Sequence, residues 1–135
     1  MTKLIEKMNA ALGWELRAIN MYAHYAANIK GIHRLQLSPM FNTEMTESID
    51  HANIVRKGIV QLGGIPVTER NPYKITHTTD YMEMLNHALE TEIKASEVYA
   101  ELLPLIEQTD DLYDSVEQIY LSELKSVEEM RLLVD

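Results

Sequence analysis

The chain has 135 residues, no cysteine and a formal net charge of −9, from 21 acidic and 12 basic side chains. This length suits a single domain, and the lack of cysteine excludes disulfides, thiolate metal sites and thiol catalysis. The acidic balance argues against nucleic acid or an anionic membrane as a partner. No run of about 18 apolar residues or signal-peptide segment is present, so we expect a cytoplasmic protein that does not span a membrane.

The first half of the sequence predicts a helical hairpin. Apolar residues recur at helical spacing over residues 3–29, and Gly31 ends that pattern. Ser38 followed by Pro39 is typical of a helix cap and the first helical position. The sequence therefore predicts a second helix over residues 40–62, stopped by two glycines and a proline.

The second half predicts another hairpin after a long connection. Residues 63–77 hold two glycines and two prolines and few apolar side chains, which predicts an irregular crossover. Asp80 and Glu83 have the spacing of a capping box at the start of a third helix. That helix runs toward Leu105, and Pro104 is expected to bend or end it.

The fourth helix is predicted from a polar cap over residues 109–111 to about Val134. No stretch alternates between apolar and polar residues for long enough to form a sheet. Two hairpins joined by one long crossover predict an all-α four-helix bundle, with one domain over residues 1–135, rather than a simple up-and-down bundle.

One pattern occurs in both halves. Residues 15–22 and 92–99 each read Glu, aliphatic, basic, Ala, three variable residues and Tyr. Seven helical residues turn through about 700°, so Glu and Tyr lie on one stripe of each helix. A carboxylate that faces a bundle core needs a cationic partner, which is a metal ion or a basic side chain. The duplication of Glu15 in Glu92 favours a metal site.

A two-metal carboxylate site in such a bundle takes one Glu from each of two helices and a Glu-x-x-His motif from each of the other two. The spacing of this motif places carboxylate and imidazole on one helix face. The candidate ligands, one on each helix in chain order, are Glu15, His51, Glu92 and Glu123.

The two Glu-x-x-His motifs are incomplete. Ser48 stands three residues before His51, and Ser126 stands three residues after Glu123. Glu47 lies about 40° from the face of His51 and is the candidate to replace the missing carboxylate. Three or four carboxylates with one imidazole suit Fe(II), Mn(II) or Zn(II).

These segments resemble the ferritin-like superfamily, and bacterioferritins most closely. The resemblance is carried by residues 15–22, by residues 47–66 with their Gly-Gly-Ile-Pro terminator, by residues 88–99, and more loosely by residues 119–130. It implies the ferritin-like fold and places the four candidate ligands on ferroxidase positions. By the same resemblance, the two serines fall on a bridging glutamate and a terminal histidine. Tyr22 falls on the tyrosine beside the metals and is the one candidate catalytic side chain.

The resemblance implies an iron-binding or iron-storage protein with an incomplete ferroxidase centre, which forms a homo-oligomer, a dimer or a larger assembly. The protein would be a ferroxidase-type oxidoreductase only if its metal site is functional. Ile49 stands where bacterioferritins carry a haem-binding methionine, so haem is not expected. Two alternatives stay open: an oxidoreductase of the same bundle class, such as a peroxidase or hydroxylase, and a metal-free helical module.

Overall fold

In the computed structural model, which describes all of residues 1–135, the chain forms four α-helices and no strand. This confirms the predicted all-α bundle. No helix combines the length and the apolar character that crossing a membrane requires. The helices are α1 (Thr2–Asn28), α2 (Arg34–Gln61), α3 (Tyr81–Leu102) and α4 (Asp111–Val134), and a short 3₁₀ turn (Leu103–Leu105) follows α3.

The predicted start of the second helix is wrong. It begins at Arg34, and Pro39 lies inside it rather than at its first position. The reason is the end of α1, whose free carbonyls need donors. Arg34 Nη1 donates to the carbonyl of Ile29 at 2.8 Å, and Ser38 Oγ donates to the carbonyl of Ala26 at 2.9 Å. Both donors are correctly placed because the helix has already begun.

The crossover between α2 and α3 runs along α1. The amide of Asn9 donates to the carbonyl of Ile65 at 3.1 Å near one end of α1. The hydroxyl of Tyr25 donates to the carbonyl of Thr76 at 2.8 Å near the other end. The crossover therefore traverses the bundle, so that α2 and α3 point the same way and α1 is antiparallel to α3.

The start of α3 confirms the predicted cap in part. Asp80 Oδ2 accepts a hydrogen bond from the backbone N–H of Glu83 at 2.9 Å. Glu83 does not reach back to Asp80, as a full capping box would require. Its carboxylate instead accepts from the hydroxyl of Thr78 at 2.6 Å, and Thr78 Oγ accepts from the N–H of Asp80 at 3.1 Å.

The hydrophobic core consists of two clusters with a polar layer between them. One cluster is built around Tyr22, Tyr25 and Phe41. The other is built around Met8, Leu12, Ile59 and Tyr99 at the opposite end of the bundle. Each helix contributes buried polar side chains to the layer between the clusters: Glu15, Ser48, Glu92, Glu123 and Ser126. Three of the predicted metal ligands, Glu15, Glu92 and Glu123, therefore lie together in mid-bundle.

Candidate metal centre

Three carboxylates are almost completely buried in the polar layer. Glu15 is 1% exposed, and Glu92 and Glu123 are each 3% exposed. None of them has a lysine or arginine within ion-pair distance, and His51 is the only basic side chain beside them. Because buried carboxylates are costly without a compensating charge, this layer requires protons or a cation.

His51 lies between two of these carboxylates. Its Nδ1 is 3.2 Å from Glu123 Oε1 and 3.3 Å from Glu15 Oε2. Ligand atoms of the three residues all lie within 4.8 Å of one another. Two donors that share one ion at about 2.1 Å, with tetrahedral or octahedral angles, are themselves about 3.0 to 3.4 Å apart. His51 is therefore spaced from each of the two carboxylates as two ligands of one metal ion are.

The duplicated octapeptide forms two crossed hydrogen bonds between α1 and α3. The hydroxyl of Tyr99 donates to Glu15 Oε2 at 2.7 Å, and the hydroxyl of Tyr22 donates to Glu92 Oε1 at 2.5 Å. Because the two helices are antiparallel, the tyrosine of each copy meets the glutamate of the other. Each phenol thus holds one carboxylate in place, and this is the position that the structure assigns to Tyr22.

The buried groups have strongly shifted proton affinities. Burial, followed by the charge of Glu15, raises the pKa of Glu123 to about 7. Burial, followed by the charge of Glu123, raises the pKa of Glu92 well above its usual range. Burial alone would lower the pKa of His51, but its hydrogen bonds to Glu123 and Glu15 raise it to about 10. At pH 7 the metal-free layer therefore holds a charged imidazole on His51, a protonated Glu92 and a Glu123 that is about half protonated.

Glu47 does not join this cluster. It is half-buried and lies outside the group formed by Glu15, His51 and Glu123. Its role as a replacement ligand stays a prediction that the geometry does not favour. Another carboxylate of α2, Glu44, contacts Ser126 of the polar layer and is coupled electrostatically to Glu92, and it is not among the predicted ligands.

Glu44 lies beside one of the two serines that interrupt the Glu-x-x-His motifs. Ser126 Oγ donates to Glu44 Oε2 at 3.3 Å. Burial, followed by the charges of Glu92 and Glu47, raises the pKa of Glu44 to about 7. Glu44 precedes His51 by seven residues, the same separation that placed Glu and Tyr of the octapeptide on one stripe. The period of the helix was thus a signal that could have found it.

The cluster has two unlike sides. The histidine side consists of Glu15, His51 and Glu123, with one nitrogen and two carboxylates. The glutamate side consists of Glu44 and Glu92, with Ser126 beside them. Glu123 lies between the two sides, because it is hydrogen-bonded to both His51 and Glu92. The two sides therefore differ in donor chemistry, as the incomplete motifs predicted.

A comparison with protein families matches residues 5–135 to the ferritin-like domain. A ferritin-like, diiron-carboxylate protein from Bacillus anthracis str. Ames has a similar structure, with a TM-score of 0.91, 30% identity, and coverage of 99% of this chain and 96% of that one. The bacterioferritin-related protein of Bacteroides fragilis, described as a dodecameric thioferritin, has a TM-score of 0.87 at 24% identity, covering 96% and 83% of the two chains. At that identity the second likeness concerns the fold alone. No curated protein matches the sequence. The match over nearly the whole chain shows that this protein belongs to the ferritin-like family.

Proposed function

We propose that this chain is a bacterioferritin-like iron-binding protein that takes up Fe(II) in the buried polar layer, with a ferroxidase centre that departs from the full ligand set. The observation that carries the proposal is the position of His51, whose Nδ1 lies 3.2 and 3.3 Å from two buried carboxylates. The similar protein from Bacillus anthracis, which is described as a diiron-carboxylate protein, supports iron as the metal.

The residues fit one metal ion well and a second ion less well. The histidine side supplies imidazole and carboxylate, which suits Fe(II) and also Mn(II) or Zn(II). The glutamate side supplies only oxygens, from Glu44 and Glu92, and shares Glu123 with the histidine side. We therefore propose two unequal positions, of which the histidine side has the higher affinity.

The protein's own side chains have two tasks at this site. Tyr99 and Tyr22 orient the carboxylates of Glu15 and Glu92 through the two crossed hydrogen bonds. His51 and Glu123 must release protons when a cation binds, because metal ligands are deprotonated. When both positions are filled with the substrate iron, two ferrous ions each lose one electron to dioxygen, which leaves with two protons as hydrogen peroxide.

A metal-free helical module is the second candidate. The observation in its favour is also His51, because a charged imidazole with a pKa raised to about 10 provides a cation among the carboxylates without any metal. A peroxidase or hydroxylase has less support, because none of the cavities in the structure is lined by a residue of the cluster.

We also propose that the chain assembles into a homo-oligomer. The protein of similar fold from Bacteroides fragilis is described as dodecameric. The bundle also exposes large apolar side chains, among them Ile32, Leu35 and Leu132, which are each more than three-quarters exposed. Size-exclusion chromatography with light scattering tests this directly, and a single species at 15.5 kDa would contradict it.

The proposed iron uptake can be tested by adding Fe(II) without oxygen and then admitting air. We expect Fe(II) to raise the melting temperature, because a ligand that binds only the folded state stabilises it. Air should then produce the near-ultraviolet absorbance of ferric iron, more slowly than a complete ferroxidase centre would. The variant Glu123→Gln removes one of the proposed ligands and should lose both the rise in melting temperature and the ferric absorbance. An unchanged melting temperature in excess Fe(II), with no ferric absorbance, would support the metal-free module instead.

A further inference from the structure

A second polar centre lies on the opposite side of α1 from the carboxylates. A cavity of about 200 Å³ opens between α1, α3 and residues 73–76 of the crossover. Arg17 lines it and follows Glu15 by two residues, which turns its side chain about 200° away from the metal centre. The cavity is therefore separate from the site described above.

Arg17 is a buried cation without a salt-bridge partner. It is 9% exposed, and no carboxylate lies within ion-pair distance. Its guanidinium donates to the carbonyl of Tyr73 at 3.1 Å, to the carbonyl of Lys74 at 2.7 Å and to the hydroxyl of Thr91 at 2.7 Å. All of these acceptors are neutral. Glu90 of the same wall attracts Arg17 only from beyond ion-pair distance. A buried charge that no carboxylate contacts directly is unfavourable, so this position is suited to an anion.

The cavity is positively charged in an acidic protein. Lys74 and Lys94 line it together with Arg17, and Glu90 is the only acidic side chain in its wall. Three cations and one anion leave a local charge of +2, with histidine taken as neutral, whereas the whole chain carries −9. Such a local field attracts small anions.

Contacts within the wall of the cavity also fix the orientation of Arg17. The rings of Trp14 and Tyr73 stack with centroids 5.2 Å apart. The guanidinium carbon of Arg17 lies 5.5 Å from the centroid of the Trp14 ring. These contacts and the hydrogen bonds to the crossover hold Arg17 in one orientation, which lowers the entropy that a ligand must overcome on binding.

We propose that this cavity binds a small oxyanion of the phosphate class, with Arg17, Lys74 and Lys94 as its cationic contacts. A volume of about 200 Å³ accommodates such an ion together with bound water. The proposal does not depend on iron, because none of its contacts belongs to the metal centre.

The only tryptophan of the chain lines the cavity and reports on its occupancy. Inorganic phosphate is titrated into the full chain after metal removal with a chelator, at an ionic strength held constant with chloride. We expect a saturable change in the fluorescence of Trp14, with one phosphate per chain and a dissociation constant of about a millimolar or below. Isothermal calorimetry measures the same binding independently of the fluorophore.

Two lysine variants locate the binding. Lys74→Gln combined with Lys94→Gln should weaken phosphate binding at least about tenfold, because both cations of the rim are lost. The matched control is Lys3→Gln combined with Lys30→Gln, which removes two exposed lysines elsewhere and should bind as the wild type does. The proposal is overturned by a response that chloride reproduces, by the absence of both heat and fluorescence change, or by equal binding to both double variants.

Discussion

The two pairs of helices that build the metal centre differ in symmetry. On α1 and α3 the same residues occur twice, and Tyr99–Glu15 and Tyr22–Glu92 form equivalent hydrogen bonds. On α2 and α4 no such equivalence is present, because α2 has His51 with Ser48 three residues before it, and α4 has Glu123 with Ser126 three residues after it. A carboxylate from another position on α2 approaches Ser126 instead. The comparison shows that the polar layer is symmetric on α1 and α3 and asymmetric on α2 and α4, so its two sides offer different donor groups.

The largest expected effect comes from removing the nitrogen of the histidine side. His51→Ala should weaken metal binding by more than about a hundredfold, because loss of an outer-shell partner alone typically weakens affinity about 10- to 100-fold. Zn(II), which has no redox chemistry, is a suitable probe in calorimetry. His33→Ala removes a histidine outside the cluster and should bind as the wild type does. Equal affinities for the two variants would place the metal elsewhere.

The next effect separates the two sides of the centre. Glu44→Gln should abolish binding of a second ion and leave the first in place, because only the glutamate side loses a ligand. Equilibrium dialysis against Zn(II), followed by metal analysis, measures the change as a stoichiometry. Glu47→Gln is the matched control, since Glu47 is a neighbouring carboxylate of the same helix, whereas Glu44 is the one that accepts a hydrogen bond from Ser126 in the polar layer. If Glu47→Gln rather than Glu44→Gln lowers the stoichiometry, the two residues have been assigned the wrong way round.

A smaller effect tests whether the crossed tyrosines are equivalent. Tyr99→Phe and Tyr22→Phe each remove one hydrogen bond to a buried carboxylate without changing the packing of the ring. Each should weaken one position by about tenfold, the first on the histidine side and the second on the glutamate side. Competition with a chromophoric chelator measures both affinities. If both variants weaken the same metal position, the assignment of Tyr99 to the histidine side and of Tyr22 to the glutamate side is wrong.

The smallest effect is a pH dependence of stability, which should change sign when metal binds. Glu123 keeps its proton in the folded protein up to about pH 7, so its contribution is complete below about pH 4.5 and is lost as the pH rises to 7. The contribution of His51 is complete below about pH 6.5 and is lost as the pH rises through 10. The melting temperature of the metal-free chain should therefore fall by several degrees between pH 5 and pH 7.

With Zn(II) the same interval should show the opposite slope, because protons compete with the metal for Glu123 and His51. Calorimetric melting at pH 5 and pH 7, with and without Zn(II), measures both slopes. Parallel slopes in the two series would mean that the metal does not bind at these groups.

Much of this fold was predictable because it depends on periodicity. The apolar spacing gave the four helices, and the repeat of Glu15 and Tyr22 in Glu92 and Tyr99 placed two carboxylates on inward stripes. The start of α2 was mispredicted because Ser38 was interpreted as a local cap. Its hydrogen bond partner is Ala26 of the preceding helix, and such a tertiary contact leaves no mark in the local sequence.

The composition of the centre was harder to predict than its position. The spacing from His51 predicts Glu47 as the substitute ligand, whereas in the structure it is Glu44 that accepts a hydrogen bond from Ser126. A search for the intact Glu-x-x-His motif does not detect a carboxylate one helical turn away from the motif position. The cavity around Arg17 was also unpredictable, since it depends on how the crossover lies against α1 and α3.

A calorimetric titration with Fe(II) at pH 7 without oxygen tests whether the buried layer binds iron at two unequal positions. We expect two separate steps that approach two ions per chain, with the tighter step first and protons released into the buffer. A single step at two ions per chain would contradict the difference between the two sides. The absence of any saturable heat would contradict iron binding itself.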